Sequence, residues 1–270
     1  MELLYWIIGF SLIGGLLSVA LASTILLLSE NARNVAVPHL VSFAVGALLG
    51  ASFLGLIPHA LEHEFAVDAH NIGLTLLLGL LSFFVLEKLV LWRHCHNDHC
   101  DAHINHDAPA KNGHGHSHAH KGQATGTLIL IGDTIHNFVD GILIAAAFMT
   151  DLHLGIVTAL AIAAHEIPQE LGDFVILLHS GFKRSKALYY NVLSSLGTVV
   201  GALLAYFALS EMQHLLPYIL VVAASSFIYI AVADLIPGLH HKVKPSETLA
   251  QISLIAAGTL FIYITHSTLH

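Results

Sequence analysis

Charge is scarce in this sequence. Asp, Glu, Lys and Arg together make up 10% of its 270 residues, while apolar types make up 56%. A soluble domain of this length carries far more charge, and the mean hydropathy of +0.75 points the same way. One large soluble core is excluded, because apolar runs of about 20 residues recur along the whole chain. Cysteine is also nearly missing. Cys95 and Cys100 are the only two, both in one polar stretch, so there is no disulfide framework. The start, Met1-Glu2-Leu3-Leu4-Tyr5, lacks a basic leader, and the apolar run after it is too long for a signal peptide. It reads as a retained first span.

What is present is a series of eight apolar segments: roughly 3–29, 36–60, 70–92, 126–149, 153–179, 187–210, 214–237 and 247–267. The expectation is an all-α polytopic membrane protein, a single transmembrane domain over 1–270. The joins are short and polar, with one exception. Residues 94–123 contain His94-Cys95-His96 and later Gly113-His114-Gly115-His116-Ser117-His118. That stretch is too polar and repetitive to build a core and reads as a disordered loop between spans 3 and 4.

Basic residues set the orientation. Arg33 lies between spans 1 and 2; Lys88, Arg93, Lys111 and Lys121 border or occupy the join of 3 and 4; Lys183, Arg184 and Lys186 lie between 5 and 6; Lys242 and Lys244 lie between 7 and 8. Those are all ten Lys and Arg, and an eight-span chain puts every one on the same side. The positive-inside rule makes that side cytoplasmic, with both termini and the Glu62-His63-Glu64 join facing out. The absence of a large ectodomain suggests a bacterial inner membrane.

Span 2 ends Leu56-Ile57-Pro58-His59-Ala60-Leu61, and span 7 ends Leu235-Ile236-Pro237-Gly238-Leu239. They lie five spans apart, an odd number, so the two ends face opposite sides. Inverted repeats of this kind are typical of secondary transporters.

Histidine is the one abundant polar type, with 22 copies. The informative ones lie inside spans. Span 4 carries His136, Asn137 and Asp140, with Asp133 one turn earlier; span 5 carries His165, Glu166, Pro168, Gln169, Glu170 and Asp173. Residues four apart share a helix face, which pairs His136 with Asp140, His165 with Gln169 and Glu166 with Glu170. Each acidic residue at a span centre costs roughly 2.5–3.5 kcal/mol, so this set needs a compensating partner. Hydrogen-bond glue between helices explains a lone Asn, but not two histidines with several carboxylates on adjacent spans. Imidazole with carboxylate and amide oxygen suits Zn²⁺, Fe²⁺ or Mn²⁺, and Cu(I)-type thiolates are absent from the spans. Both rows lie mid-span, so antiparallel neighbours bring them level. Pro168 cannot donate to the carbonyl of Ala164 and is expected to kink span 5 beside the ligands.

His136-Asn137-Phe138-Val139-Asp140-Gly141 followed by His165-Glu166-Ile167-Pro168-Gln169-Glu170-Leu171-Gly172-Asp173-Phe174 resembles the paired signature of the ZIP family of divalent-metal transporters. The eight spans, outward termini and His-rich loop after span 3 are similar too, so the resemblance covers the whole chain. It implies a bundle ordered three, two and three, with spans 1–3 and 6–8 related by a pseudo-twofold. It also implies a two-metal centre whose ligands correspond to His136, Asn137, Asp140, His165 and Glu166, with Asp140 and the position of Gln169 placed to bridge; Glu170 joins the candidate set. Two departures stand out. Many relatives have histidine where this chain has Gln169, and some carry a histidine just before Leu-Ile-Pro in span 2, where this chain has Gly55.

The expected function is transport of divalent metal, Zn²⁺ first with Fe²⁺, Mn²⁺ or Cd²⁺ as alternatives, into the cytoplasm. The metal is substrate; no catalytic cofactor and no enzymatic activity are expected. Expected partners are the metal ion, the lipid bilayer and a second copy in a homodimer, with no nucleic acid. An intramembrane zinc protease is the rival from another class, since His165-Glu166 and Asp140-Gly141 superficially match it. Gln169 at the fifth position, Pro168 within the motif and an Asp-Gly that precedes it argue against that. An efflux carrier is the rival within transport, disfavoured by eight spans with outward termini. Elsewhere, the 94–123 histidines read as an exchangeable metal store, and Glu62-His63-Glu64 with Asp68 and His70 as a cation-concentrating mouth. Asp234 lines the path or pairs within the bundle, Glu87-Lys88 reads as a structural neighbour pair, and Gly46, Gly50, Gly55, Gly197 and Gly201 permit close packing.

Overall fold

The computed structural model describes residues 2–65, 67–95, 118–240 and 245–269, and among these every regular element is helical. In lipid, an apolar chain satisfies its backbone only by closing the hydrogen bonds of a helix on itself. Eight long helices follow: span 1 (Glu2–Ile25), span 2 (Glu30–Leu61), span 3 (Ala69–Cys95), span 4 (His118–Thr150), span 5 (Leu152–His179), span 6 (Arg184–Leu209), span 7 (Gln213–Leu239) and span 8 (Pro245–Leu269). Seven are long and apolar enough by composition alone to cross a membrane. Span 5 falls outside that group; it is 28 residues long, and the polar row beginning at His165 lowers its hydropathy.

Two boundaries differ from expectation. Span 2 starts at Glu30, because the Ser29 hydroxyl accepts from the Ala32 N–H at 3.4 Å and caps the helix there. The 94–123 stretch is not loop throughout. Helix continues to Cys95 and resumes at His118, while 96–117, with Lys111 and most of its histidines, lie outside the described residues. Extending an established helix is cheap once the apolar part has nucleated it. The backbone also stays α-helical across Pro168, with no break beside the polar row. The irregularities are elsewhere: single π-helical stretches at Ile13–Leu17, Ala51–Leu56 and Ile230–Leu235.

The last two match. Each is six residues long, ends in Leu and is followed by Ile-Pro opening a short α-helical turn, Ile57–Leu61 or Ile236–Leu239. The sequence echo is therefore a backbone echo. Helix pairing has the same logic. Exchanging spans 1, 2 and 3 with 6, 7 and 8, and span 4 with 5, converts the contact of 4 with 6 into that of 5 with 1. It likewise converts 2 with 8 into 7 with 3, and 2 with 5 into 7 with 4. The close pairing of span 5 with span 8 breaks the correspondence.

Glycines set the tightest approaches. A Cβ on Gly141 of span 4 would stand 1.9 Å from the Thr198 carbonyl oxygen of span 6, and one on Gly201 of span 6 would stand 2.0 Å from that of Phe138 on span 4. Spans 2 and 8 are joined the same way through Gly46 and Gly258, whose Cβ positions meet Ile255 and Phe43 carbonyls. Small residues replace the hydrophobic drive that lipid removes, letting backbones touch.

Because the helices alternate in direction, the 1–2, 3–4, 5–6 and 7–8 joins define one face, here the basic face. Both termini and the remaining joins define the terminal face. Lys183, Arg184, Lys186 and Arg33 sit on the basic face, whereas Lys242 and Lys244 lie outside the described residues. Glu87 does not pair with Lys88. It accepts a hydrogen bond from the Tyr229 hydroxyl, and the Lys88 ammonium lies over the Phe84 ring at 5.6 Å.

Candidate metal centre

Spans 4 and 5 run antiparallel through the middle of the bundle, and their polar rows meet. The Nε2 atoms of His136 and His165 are 3.3 Å apart. Asp140 Oδ2 lies 3.8 Å from His136 Nε2 and 3.5 Å from His165 Nε2. Glu166 Oε1 lies 3.3 Å and 3.6 Å from the same two nitrogens. One ligand atom from each of these four side chains falls within 4.8 Å of all the others. Ligand atoms about 2.0–2.1 Å from a tetrahedral zinc stand about 3.3–3.4 Å from one another, close to the spacing here.

A second group adjoins the first. Asp133, Glu166 and Glu170 also bring one carboxylate oxygen each within 4.8 Å of one another. Glu166 thus belongs to both groups. Asp140, one of the two positions expected to bridge, belongs to the first group alone. Asp173, three residues beyond Glu170, is half-buried and neighbours Asp133.

Burial makes these groups costly. Asp140, His165 and Glu166 are each 1% exposed and Glu170 not at all, while the His136 side chain keeps 24% exposure. Both carboxylate oxygens of Asp140, of Glu166 and of Glu170 are buried with no hydrogen-bond partner. An unpaired buried carboxylate is among the most unfavourable arrangements available to a protein, and a bound cation removes the penalty. His165 is prepared for one: its Nδ1 reaches the Ala161 carbonyl at 3.2 Å, which leaves Nε2 as the lone-pair nitrogen facing the carboxylates.

Asn137, expected as a ligand, is placed one step behind them. Its Nδ2 donates to Asp133 Oδ1 at 3.0 Å, and its Oδ1 accepts from the Thr198 hydroxyl at 2.9 Å. Gln169 is half-buried on the same face as His165. Gly55, where some relatives carry histidine, faces Leu154 and Val157 of span 5, so span 2 brings no ligand from that position.

Span 6 supplies groups that the ligand pattern did not single out. Ser194 donates to Asp133 Oδ2, Thr198 to Asn137, and Asn191 Nδ2 to the Glu170 carbonyl at 3.3 Å. Their signal was available in the spacing 191, 194, 198, one polar stripe on an otherwise apolar helix. Asp234, in the π-helical stretch of span 7, lies within electrostatic reach of both His136 and Glu87.

Access differs on the two sides. Toward the terminal face, Leu143 to Phe148 of span 4 are each at most 2% exposed, and Leu154, Val157 and Ile162 of span 5 are fully buried. They pack with Phe227 into an apolar plug. Toward the basic face, His136 and Asp173 keep partial exposure. A crevice of about 820 Å³, lined in part by Arg33, Pro38, Pro168 and His179, lies on the opposite side of span 5 from Glu166 and belongs to a different surface.

A family profile described as ZIP zinc transporter matches residues 2–266. The chain is 31% identical to zinc transporter ZIP13 of Pongo abelii over 95% of its own length and 75% of that protein. It is 31% identical to zinc transporter ZIP13 of Homo sapiens over 95% and 78%, and 32% identical to zinc transporter YKE4 of Saccharomyces cerevisiae over 88% and 72%. These relatives are eukaryotic, which removes support from a bacterial inner membrane; an integral, multi-pass membrane protein stands. The apolar helices, the two ligand rows and the match along nearly the whole chain agree: it belongs to the ZIP zinc transporter family.

Proposed function

We propose that this protein carries Zn²⁺ or a closely similar divalent ion from the terminal face to the basic, cytoplasmic face through the site on spans 4 and 5. One observation carries the reading: two imidazoles and two carboxylates converge at tetrahedral-zinc spacing, mid-bundle, with the carboxylate oxygens lacking any other partner. His136, Asp140, His165 and Glu166 hold one ion, and Asp133, Glu166 and Glu170 accept a second or receive the first as it moves on. Asn137 and Gln169 serve the same centre, Asn137 by orienting Asp133 and Gln169 by setting affinity from the edge. The helices are ordered three, two and three as the family resemblance implies.

Transport needs ligands that replace the ion's water yet release it, and access that alternates. Carboxylates shared between two positions serve the first need. The plug on the terminal side, with partial exposure on the other, is what an inward-facing state requires. Fe²⁺, Mn²⁺ and Cd²⁺ remain alternative substrates, and a homodimer is the proposed assembly. The test is radiotracer zinc uptake by proteoliposomes of the purified chain. Wild type should load zinc and His136→Ala, His165→Ala should not; equal uptake by both would refute the assignment.

A further inference from the structure

A separate set of metal-ligating groups lies at the terminal face. A cavity of about 380 Å³ is lined by His59, Glu62, His63 and Glu64 at the end of span 2, Met149 at the end of span 4 and Gln213 at the start of span 7. Three helix ends that are far apart in sequence thus aim imidazole, carboxylate, thioether and amide groups into one space. The rings are held in place. His59 Nδ1 bonds the Gly55 carbonyl at 2.9 Å, the arrangement that turns Nε2 outward as the ligand nitrogen. His266, from the end of span 8, meets the His59 ring edge-on at 5.3 Å between centroids. His63 stacks on Phe65 at 5.4 Å. Asp68 and His70, expected to share this mouth, form an exposed pair of their own at 3.5 Å.

The cavity is not an extension of the buried centre. Met149 lies nine residues beyond Asp140 on span 4, roughly 14 Å along the helix axis, and the plug fills the interval. We propose that this cavity is a loading site for a hydrated divalent cation, held by His63 and Glu64 and, through its water, by His59 and Glu62. The proposal rests on the transport reading above. Its groups are more widely spaced than those of the buried centre, so the ion keeps part of its water and is held loosely. A loading site must do that, because an ion bound too tightly would not move on.

Two measurements on the full chain test this. In proteoliposomes, His63→Ala with Glu64→Gln should raise the KM for zinc uptake about tenfold while the maximal rate stays within about twofold, the pattern of lost capture rather than lost translocation. An unchanged KM, or a fall in maximal rate alone, overturns the proposal. In detergent, zinc should protect His59 and His63 from diethyl pyrocarbonate, read peptide by peptide by mass spectrometry. The His136→Ala, His165→Ala protein should show the same protection. No protection overturns the loading site whatever the uptake result. Protection without wild-type uptake supports the site while removing the transport reading, so the two ideas fail separately.

Discussion

The Nε2 atoms of His136 and His165 face each other across 3.3 Å, with Asp140 and Glu166 oxygens beside both. The Nδ1 bond from His165 to Ala161 makes its Nε2 a lone pair, which His136 can meet with an N–H or share with a cation. Replacing either histidine by Ala should therefore abolish zinc uptake while leaving the helical content by circular dichroism intact. Protons compete for the same lone pairs, so uptake by wild type should fall on acidification. An acid-insensitive rate would argue against imidazole ligation.

Gln169 offers a test of selectivity. It follows His165 by one turn on the same helix and is half-buried. An imidazole there would compete for zinc better than an amide. Gln169→His should lower the zinc KM several-fold and raise the preference for Zn²⁺ and Cd²⁺ over Mn²⁺, measured by competition with radiotracer zinc. An unchanged preference would show that this position does not set selectivity.

The span 6 hydroxyls should matter without touching metal. Thr198→Val removes the donor to Asn137, and Ser194→Ala removes the donor to Asp133. Loss of such supporting bonds typically costs about 10–100-fold in metal affinity. The expected result is a raised zinc KM for each variant, and Thr198→Ser should restore wild-type behaviour.

Close helix packing predicts a stability effect at a glycine. The Cβ of Gly201→Ala would collide with the Phe138 carbonyl at 2.0 Å, and backbone cannot yield as a side-chain tip can. Overpacking of this kind costs about 1–3 kcal/mol. Thermal unfolding in detergent should shift several degrees lower, and uptake should fall as well, because Phe138 adjoins Asn137. Gly172→Ala, which meets nothing within 4 Å, is the control and should unfold as wild type does.

Asp151 carries a pH prediction outside the membrane segments. Its carboxylate caps span 5 by accepting from the Leu154 N–H at 2.9 Å. Partial burial opposes ionisation, but that bond, with His153 and His59, outweighs it and holds the pKa below its usual value of 3.8. A depressed carboxylate stabilises the fold above its unfolded pKa and loses that contribution as pH falls through the folded value. Asp151→Ala should cost about 1 kcal/mol at neutral pH, with the gap from wild type closing as the pH falls below the usual carboxylate range.

Much of this was legible in the sequence because lipid enforces simple rules. Span count followed from apolar length, and the ligand rows from acids that lipid would not tolerate unpaired. The level meeting of His136 and His165 followed from antiparallel neighbours. What stayed hidden was side-chain direction. Nothing in the spacing says that Asn137 turns toward Thr198, or that Glu166 is shared by two groups of acids. The π-helical stretches were equally silent, since Pro58 and Pro237 announce irregularity without its form, while the helix continues unbroken through Pro168. The cavity at His59 required three helix ends to be brought together, which no single segment encodes.

The matching six-residue stretches Ala51–Leu56 and Ile230–Leu235 have a mechanical meaning. Each inserts one surplus residue into the hydrogen-bond ladder, which makes it a dislocation. A dislocation glides by exchanging one bond register for the next, at far less cost than melting a turn. Every step re-aims the residue it passes by about 100° and leaves the helix on either side in register. Spans 2 and 7 thus each contain a point at which single side chains can be re-aimed without unfolding the helix, at equivalent places in the two halves.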